Sequence, residues 1–496
     1  MYRKVLNSVF SNWASLAVSI AIAFVVSPIM VNNLGKELYG IWALIISITG
    51  YFTVMDFGVN SAIIRYISSS VARQDYQFAR AVYSTSIAIF AVSGLLVLLF
   101  SSIFGYFLID FFEIHQITRI YLFGVFIILS IDFATGLLFS VFQGALIGLQ
   151  EFRFINMTSI FINCLRSIII VLALNTGASL LTLAFLQLIS SMIKAVCQYV
   201  LLLRKYRYLS IDRNAVDRNT FSKIYSYSVF SFIIAVALKL LFYTDNVVIG
   251  SMISVSEIAF YSIPSTLLDY TEKFVWALVS VLVPIISSND AKSDGIGNVQ
   301  IYIAGTRVTL LVSIPIILSL YFFGGDFICL WIGPEIGERS KSVLQILLIG
   351  FAFSFSQLIA HGILKGISKH RVLAYILLVE SLANLGMSIF LAGPYGIEGV
   401  AIGTMVPLVL GSFSVAVYSC RVLGLNILNY LYRSYTGAIV GIIVVILFTR
   451  YRYSFVDSYF NVFFESGILS VIFLSIALPL SFGTYIRKYA RQYLNL

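Results

Sequence analysis

The chain has 496 residues, of which 60% are hydrophobic and only 11% are charged, and its mean hydropathy is +0.97. A water-soluble protein of this size would carry far more Lys and Glu on its surface, so composition excludes that class. The net charge of +10 does not point to nucleic acid, because most of the basic residues lie in short connections between apolar runs, where they orient a membrane protein.

A helical crossing needs about 20 apolar residues, and about 14 runs of that length follow one another along the chain. The first, 10–33, comes after Arg3 and Lys4 without a small-residue cleavage site, and is expected to stay as an anchor. The second, 39–68, opens on Tyr39-Gly40 and contains Asp56 and Arg65. Run three, 80–108, has no charge at mid-span, whereas run four, 119–147, carries Asp132, Thr135 and Gln143. Run five, 154–175, sets Asn156, Ser159, Asn163 and Arg166 at helical spacing. Run six, 179–203, sets Gln187, Ser191, Lys194 and Gln198 in one narrow polar stripe.

The longest polar connection, Arg204 to Lys223, separates these six runs from the eight behind it. Run seven, 221–250, has Lys239, Tyr243 and Asn246 on one face with Asp245 alongside. Run eight, 257–287, puts Asp269 four residues before Lys273, with Glu272 between them. Run nine is 302–325, and run ten, 342–364, aligns Ser354, Gln357 and His361 toward Lys365. Run eleven, 372–392, holds Glu380, and run twelve is 398–420. Runs thirteen and fourteen, 434–449 and 465–486, carry no mid-span charge and are expected only to pack outside.

The predicted fold is all-α and polytopic: six-helix lobes over 1–210 and 211–423, and two peripheral helices over 424–496. Strands are excluded, because open strands leave backbone groups unpaired in lipid and these runs are too long for barrel strands. On the side opposite the termini the only basic residues in connections are Lys36, Arg119, Arg339, Lys341, Arg450 and Arg452, which predicts that both termini are cytoplasmic. Cys164, Cys197, Cys329 and Cys420 are scattered, and His115, His361 and His370 lie far apart, so no metal site, disulfide framework or cofactor is expected.

The ionisable residues inside runs carry the functional signal. They are Asp56, Arg65, Asp132, Arg166, Lys194, Lys239, Asp245, Asp269, Glu272, Lys273 and Glu380. Each would cost about 2.5–3.5 kcal/mol against lipid at the helix centre, so most must face protein or a hydrated cavity. Polar stripes also arise as interhelical hydrogen bonds, Asp269–Lys273 as a neutralised structural pair, and His361 as a packing residue. Stripes recurring on several helices favour a common cavity. Its cations Arg166, Lys194, Lys239 and Lys273 suit an anionic group, with Asn163, Gln187, Gln198, Gln357 and Arg65 completing the substrate set.

Three stretches carry a family resemblance. They are Leu34-Gly35-Lys36-Glu37-Leu38-Tyr39-Gly40-Ile41-Trp42 followed by Asp56-Phe57-Gly58; Phe142-Gln143-Gly144 with Gly148-Leu149-Gln150-Glu151-Phe152; and Thr244-Asp245-Asn246-Val247-Val248-Ile249-Gly250 with Glu257-Ile258-Ala259-Phe260-Tyr261. The chain resembles oligosaccharide flippases of the Wzx type, in the superfamily of multidrug, oligosaccharidyl-lipid and polysaccharide exporters.

The resemblance implies a two-lobed transporter with a central cationic cavity. Such a protein moves undecaprenyl-pyrophosphate-linked oligosaccharide units across the bacterial inner membrane by alternating access, for O-antigen or another surface polysaccharide. Motif positions carry over Asp56 and Asp245. The coupling or gating set expected here is Asp56, Asp132, Asp245, Asp269, Glu272, Glu380 and His361, with H+ or Na+ as the coupling ion. Membrane lipid, a polysaccharide polymerase and a chain-length regulator are the other expected partners. The alternatives are a multidrug antiporter, a lipid II flippase, and a membrane-embedded glycosyltransferase or polymerase. The last class needs a sizeable catalytic loop, and the external connections are all short, so no enzyme is expected.

Overall fold

The computed structural model describes residues 2–112, 114, 117–280, 295–367, 369–451 and 457–494. His115, Lys292, Arg452 and the end of the eighth run lie outside the described residues. The helices in chain order are α1 (Tyr2–Tyr51), α2 (Val59–Ala72), α3 (Tyr76–Phe111), α4 (Arg119–Gly148), α5 (Phe152–Asn175), α6 (Leu180–Lys205) and α7 (Arg218–Met252). They continue as α8 (Ile258–Ser280), α9 (Gly295–Trp331), α10 (Pro334–Ser356), α11 (Leu358–Gly366), α12 (His370–Val422), α13 (Ile427–Tyr451) and α14 (Tyr459–Leu494). No strand occurs among the described residues, and the chain is a multi-pass, all-α membrane protein.

Eleven helical segments among the described residues are long and apolar enough to cross a membrane. Two of them hold two apolar runs each. Helix α1 turns at Gly35 (φ 76, ψ 166) and α12 at Gly396 (φ 60, ψ −141), backbone conformations open to glycine because it lacks Cβ. Helix α8 falls outside the eleven because Asp269, Glu272 and Lys273 interrupt its apolar surface. These three elements reconcile the segments with the runs counted in the sequence.

The second run contains a further break. Helix α1 stops at Tyr51, a 3-10 turn covers Phe52–Asp56, and Phe57 (φ 49) and Gly58 (φ 73) are left-handed before α2 starts. The Asp56 carboxylate accepts from the Asn60 backbone N–H at 3.0 Å, satisfying a donor that the new helix end leaves open.

The chain divides into two compact units, Met1–Ala259 and Phe260–Leu496. Helix α7 belongs to the first unit, packing against α1, α2 and α3. In the first unit the core sits where α2, α3 and α4 meet, around Ile63, Ile67, Tyr83, Phe90, Val141 and Phe142. In the second, α10 packs on α9 and α12, and α13 and α14 pack on each other and on α9. Large apolar side chains such as Leu99, Phe161 and Ile443 are exposed, as helices with a hydrocarbon solvent allow.

The long connection after α6 is fastened down. Glu151 accepts from Lys205 Nζ and from the Tyr206 hydroxyl, the latter at 2.5 Å. Burial, reinforced by that bond, pushes the Tyr206 hydroxyl up in pKa. Arg80 donates to the Tyr208 carbonyl at 3.2 Å and lies 4.0 Å from Asp212. Asp217 then caps α7, accepting from the Thr220 N–H at 3.1 Å. The backbone N–H groups of Asn219 and Thr220 hold its carboxyl below the usual range.

Candidate functional site

Helices α4, α5 and α6 bring the polar stripes of the first unit together. Gln187 and Ser191, four residues apart, share the face of α6 turned toward α4. Asp132 of α4 is buried at 7% exposure, and both its oxygens are bonded: Oδ2 by Gln187 Nε2 at 3.2 Å and Oδ1 by the Ser191 hydroxyl. Gln187 is used from both ends, since its Oε1 accepts from Arg166 Nη1 of α5. Lys194, one turn beyond Ser191, lies within electrostatic reach of Arg166 and Asp132. Asn163 is one turn before Arg166, and its Oδ1 is buried with no hydrogen-bond partner among the described residues.

The cluster therefore holds one carboxylate and two cations with an amide between them. Its formal charge is positive, and in the low dielectric of a helix bundle such an excess attracts anions far more strongly than in water. Gln198, a further turn along α6, is buried, while Arg65 of α2 is exposed.

A second polar contact joins α1 to α7. The Tyr51 and Thr244 hydroxyls are 2.5 Å apart, and Asn246 Nδ2 donates to Ser47 Oγ at 2.9 Å. The Tyr243 ring fits against Gly50, where an added Cβ would lie 2.8 Å from ring carbons. Lys239 Nζ sits 4.7 Å from the centre of that ring, a cation–π contact. Asp245 is only 4% exposed and lies within electrostatic reach of Tyr51.

The second unit distributes its polar groups differently. On α8, Lys273 Nζ is 2.5 Å from Asp269 Oδ2, and both side chains are about half exposed (52% and 46%). Glu272 lies within electrostatic reach of both. Ser354, Gln357, His361 and Lys365 were expected on one helical face, but the helix ends at Ser356 and restarts at Leu358, so that face is interrupted.

Gln357 (2% exposed) stands at the break and is wrapped by tyrosines. Tyr302 donates to its Oε1 at 3.0 Å, and its Nε2 reaches the hydroxyls of Tyr435 at 2.7 Å and Tyr430 at 3.4 Å. Tyr302 and Tyr430 stack with centroids 4.4 Å apart. Glu380 is buried at 7% exposure on α12.

Of the four expected cations, Arg166 and Lys194 share one cluster, Lys239 belongs to the α1–α7 contact, and Lys273 is paired on α8. Sequence reasoning missed Tyr302, Tyr430 and Tyr435. Their only signal is the tyrosine content, and two of them, Tyr430 and Tyr435, come from α13.

A family model described as polysaccharide biosynthesis protein matches residues 5–290, and the MatE model matches residues 229–390. A relative named "Putative O-antigen transporter" from Shigella flexneri is 23% identical over 411 residues, covering 82% of this chain and 94% of that protein. An uncharacterized membrane protein, EpsK of Bacillus subtilis, is 21% identical, covering 84% of this chain and 83% of its own. Two solved structures share the fold. A multidrug resistance MATE transporter in its inward-facing conformation superposes with a TM-score of 0.71 at 12% identity, over 84% of this chain and 98% of that one. The lipid II flippase MurJ in an inward closed conformation gives 0.70 at 16% identity, over 98% and 100%. These relatives and neighbours are described as transporters, flippases or membrane proteins, none as an enzyme.

Proposed function

The chain belongs to the polysaccharide biosynthesis protein family, and from that premise we propose that it is a flippase. Its substrate in this reading is an oligosaccharide repeat unit on undecaprenyl pyrophosphate, moved across the bacterial inner membrane by alternating access, with both termini in the cytoplasm. The observation that carries the proposal is the cationic cluster of Arg166 and Lys194 around Asp132 and Gln187, inside three membrane helices of the family-matched region.

Pyrophosphate oxygens suit a guanidinium that already spends one donor on a neutral amide. A bidentate pair with Arg166 would displace Gln187 Oε1, leaving the Gln187 amide on Asp132. Lys239 would add charge, and Asn163 and Gln198 would meet sugar hydroxyls; Lys273 and Gln357 belong to the second unit, where the Gln357 amide is already held by Tyr302, Tyr430 and Tyr435. Asp56, Asp132, Asp245, Asp269, Glu272, Glu380 and His361 are the candidates for coupling to H+ or Na+ or for gating. Arg65 would meet the headgroup at the membrane surface. A polysaccharide polymerase and a chain-length regulator would act on the delivered units.

The test is the combined replacement of Arg166, Lys194, Lys239 and Lys273 by Ala, read as lipid-linked glycan reaching the outer leaflet of the inner membrane. Loss of translocation, with Arg166→Lys retaining part of it, supports the reading; undiminished translocation by the quadruple variant sinks it.

The MatE match over 229–390 favours a second reading, a multidrug antiporter. An excess of Lys and Arg around the substrate would repel the cationic compounds such proteins export, which is why it ranks second. Drug-sensitivity profiling of a deletion strain separates the two, and competition between lipid II and the oligosaccharide lipid separates both from a lipid II flippase.

A further inference from the structure

Beyond Gly396, helix α12 returns along itself, and the two halves meet through a stripe of small residues. Gly399, Gly403, Pro407 and Gly411 recur every four residues on the returning half. A Cβ at Gly403 would lie 2.6 Å from the Ser388 backbone nitrogen, so the halves touch at backbone distance. On the outgoing half, Glu380, Asn384 and Ser388 also recur every four residues and face that stripe. Asn384 Nδ2 donates to Thr404 Oγ1 at 2.8 Å, and the Ser388 hydroxyl reaches the Val400 carbonyl at 3.4 Å. Tyr261 of α8 adds a hydroxyl contact to Thr404 at 3.2 Å.

Glu380 ends this ladder without a hydrogen-bond or ion-pair partner among the described residues. An added Cβ at Gly411 would overlap its carboxyl, so the acid lies in a notch that only glycine leaves open. It is buried at 7% exposure, while its neighbours Val379 and Leu382 point outward at 67% and 53%. Ten residues from the helix start at His370 place it about 15 Å along the axis, half the thickness of a hydrocarbon core of about 30 Å.

No charged or titratable group on the helices around it makes a hydrogen bond or ion pair with it among the described residues. On α10 these groups are Glu335, Glu338, Arg339 and Lys341; on α11, His361 and Lys365. On α8, Asp269 and Lys273 pair with each other, and Glu272 stays beside them. On α13 Tyr430 and Tyr435 serve Gln357, Arg433 lends its carbonyl to Arg307, and Tyr432 is exposed. On α12 itself the same holds of Arg371, Tyr375, Tyr395, Glu398, Tyr418, Cys420 and Arg421.

A carboxylate buried to this degree, with no ion-pair partner among the described residues, carries the full penalty of burying a charge, and the neutral acid is the form that the site accommodates. We propose that Glu380, in the Gly411 notch of the α12 hairpin, is a proton-binding site. It holds its proton while the hairpin is closed and releases it to water when the two halves part, becoming a carboxylate. This deepens the flippase reading by naming the coupling ion and its carrier, and rests on that reading only for its role in transport.

Infrared difference spectroscopy of the whole protein in lipid nanodiscs, without substrate, tests the site directly. The expected result is a carbonyl stretch of a protonated carboxylic acid that is absent in Glu380→Gln and retained in Glu272→Gln. Gly411→Ala, which displaces the carboxyl but keeps it, should shift the band. A Glu380→Gln spectrum that superimposes on the wild-type spectrum across the pH range overturns the proposal. In proteoliposomes, Glu380→Gln should lose the response of lipid-linked sugar movement to an imposed pH gradient while still equilibrating its substrate. A full response in the variant overturns the coupling role. If the wild type moves no lipid-linked sugar, the flippase reading fails while the infrared result still decides Glu380.

Discussion

Asp132 and Glu380 are equally buried acids in membrane helices, and the protein accommodates them in opposite ways. Asp132 is surrounded: both oxygens accept hydrogen bonds, Lys194 stands within electrostatic reach, and Gln187 links the carboxylate to Arg166. Glu380 fills the space left open by Gly411 and has no hydrogen-bond partner among the described residues. A paired carboxylate can stay charged at mid-membrane because its partners replace water, whereas an unpaired one is tolerated in its neutral form. Burial alone therefore does not distinguish the two; the partners do.

Neutralising each acid without changing its shape should break this comparison most clearly. Asp132→Asn strips the counter-charge from Arg166 and Lys194 and is expected to lower stability by about 2–3 kcal/mol. Glu380→Gln mimics the neutral acid and should lower it by less than about 1 kcal/mol. Thermal unfolding in detergent checks both, and equal losses would erase the distinction.

Gln357→Leu comes next, at about 1–2 kcal/mol, because it leaves the hydroxyls of Tyr302, Tyr430 and Tyr435 without their shared amide. Tyrosine fluorescence during unfolding would report it. The smallest effect belongs to the solvated cap Asp217. Its lowered pKa means that the stabilisation is present above the unfolded value and is lost as pH falls through the folded one. Asp217→Asn should thus depress the melting temperature slightly at neutral pH, and the difference should begin to shrink near about pH 4 and vanish only below the lowered folded-state value.

Hydropathy made the helices legible, since a bilayer forces each crossing to declare itself as an apolar run. The stripe of Gln187, Ser191 and Lys194 was legible for a similar reason: four-residue spacing has one geometric meaning on a helix. What joins the stripes was not. That Gln187 bridges Arg166 to Asp132 depends on how α4, α5 and α6 are rotated against one another, which no single run encodes. The break at Gln357 was hidden because the sequence around it reads as one continuous apolar helix, with no Pro or Gly at the interruption. Gly411 was unremarkable until its partner across the hairpin was known.

The amide at that break has a bearing on how the chain can be shortened. Tyr430 and Tyr435 come from α13, so a protein ended after the first twelve apolar runs would present Gln357 to hydrocarbon with two of its three tyrosines gone. An amide stranded in lipid costs several kcal/mol. The last two helices are thus no detachable trailer: removing them obliges the tenth run to be rewritten as well.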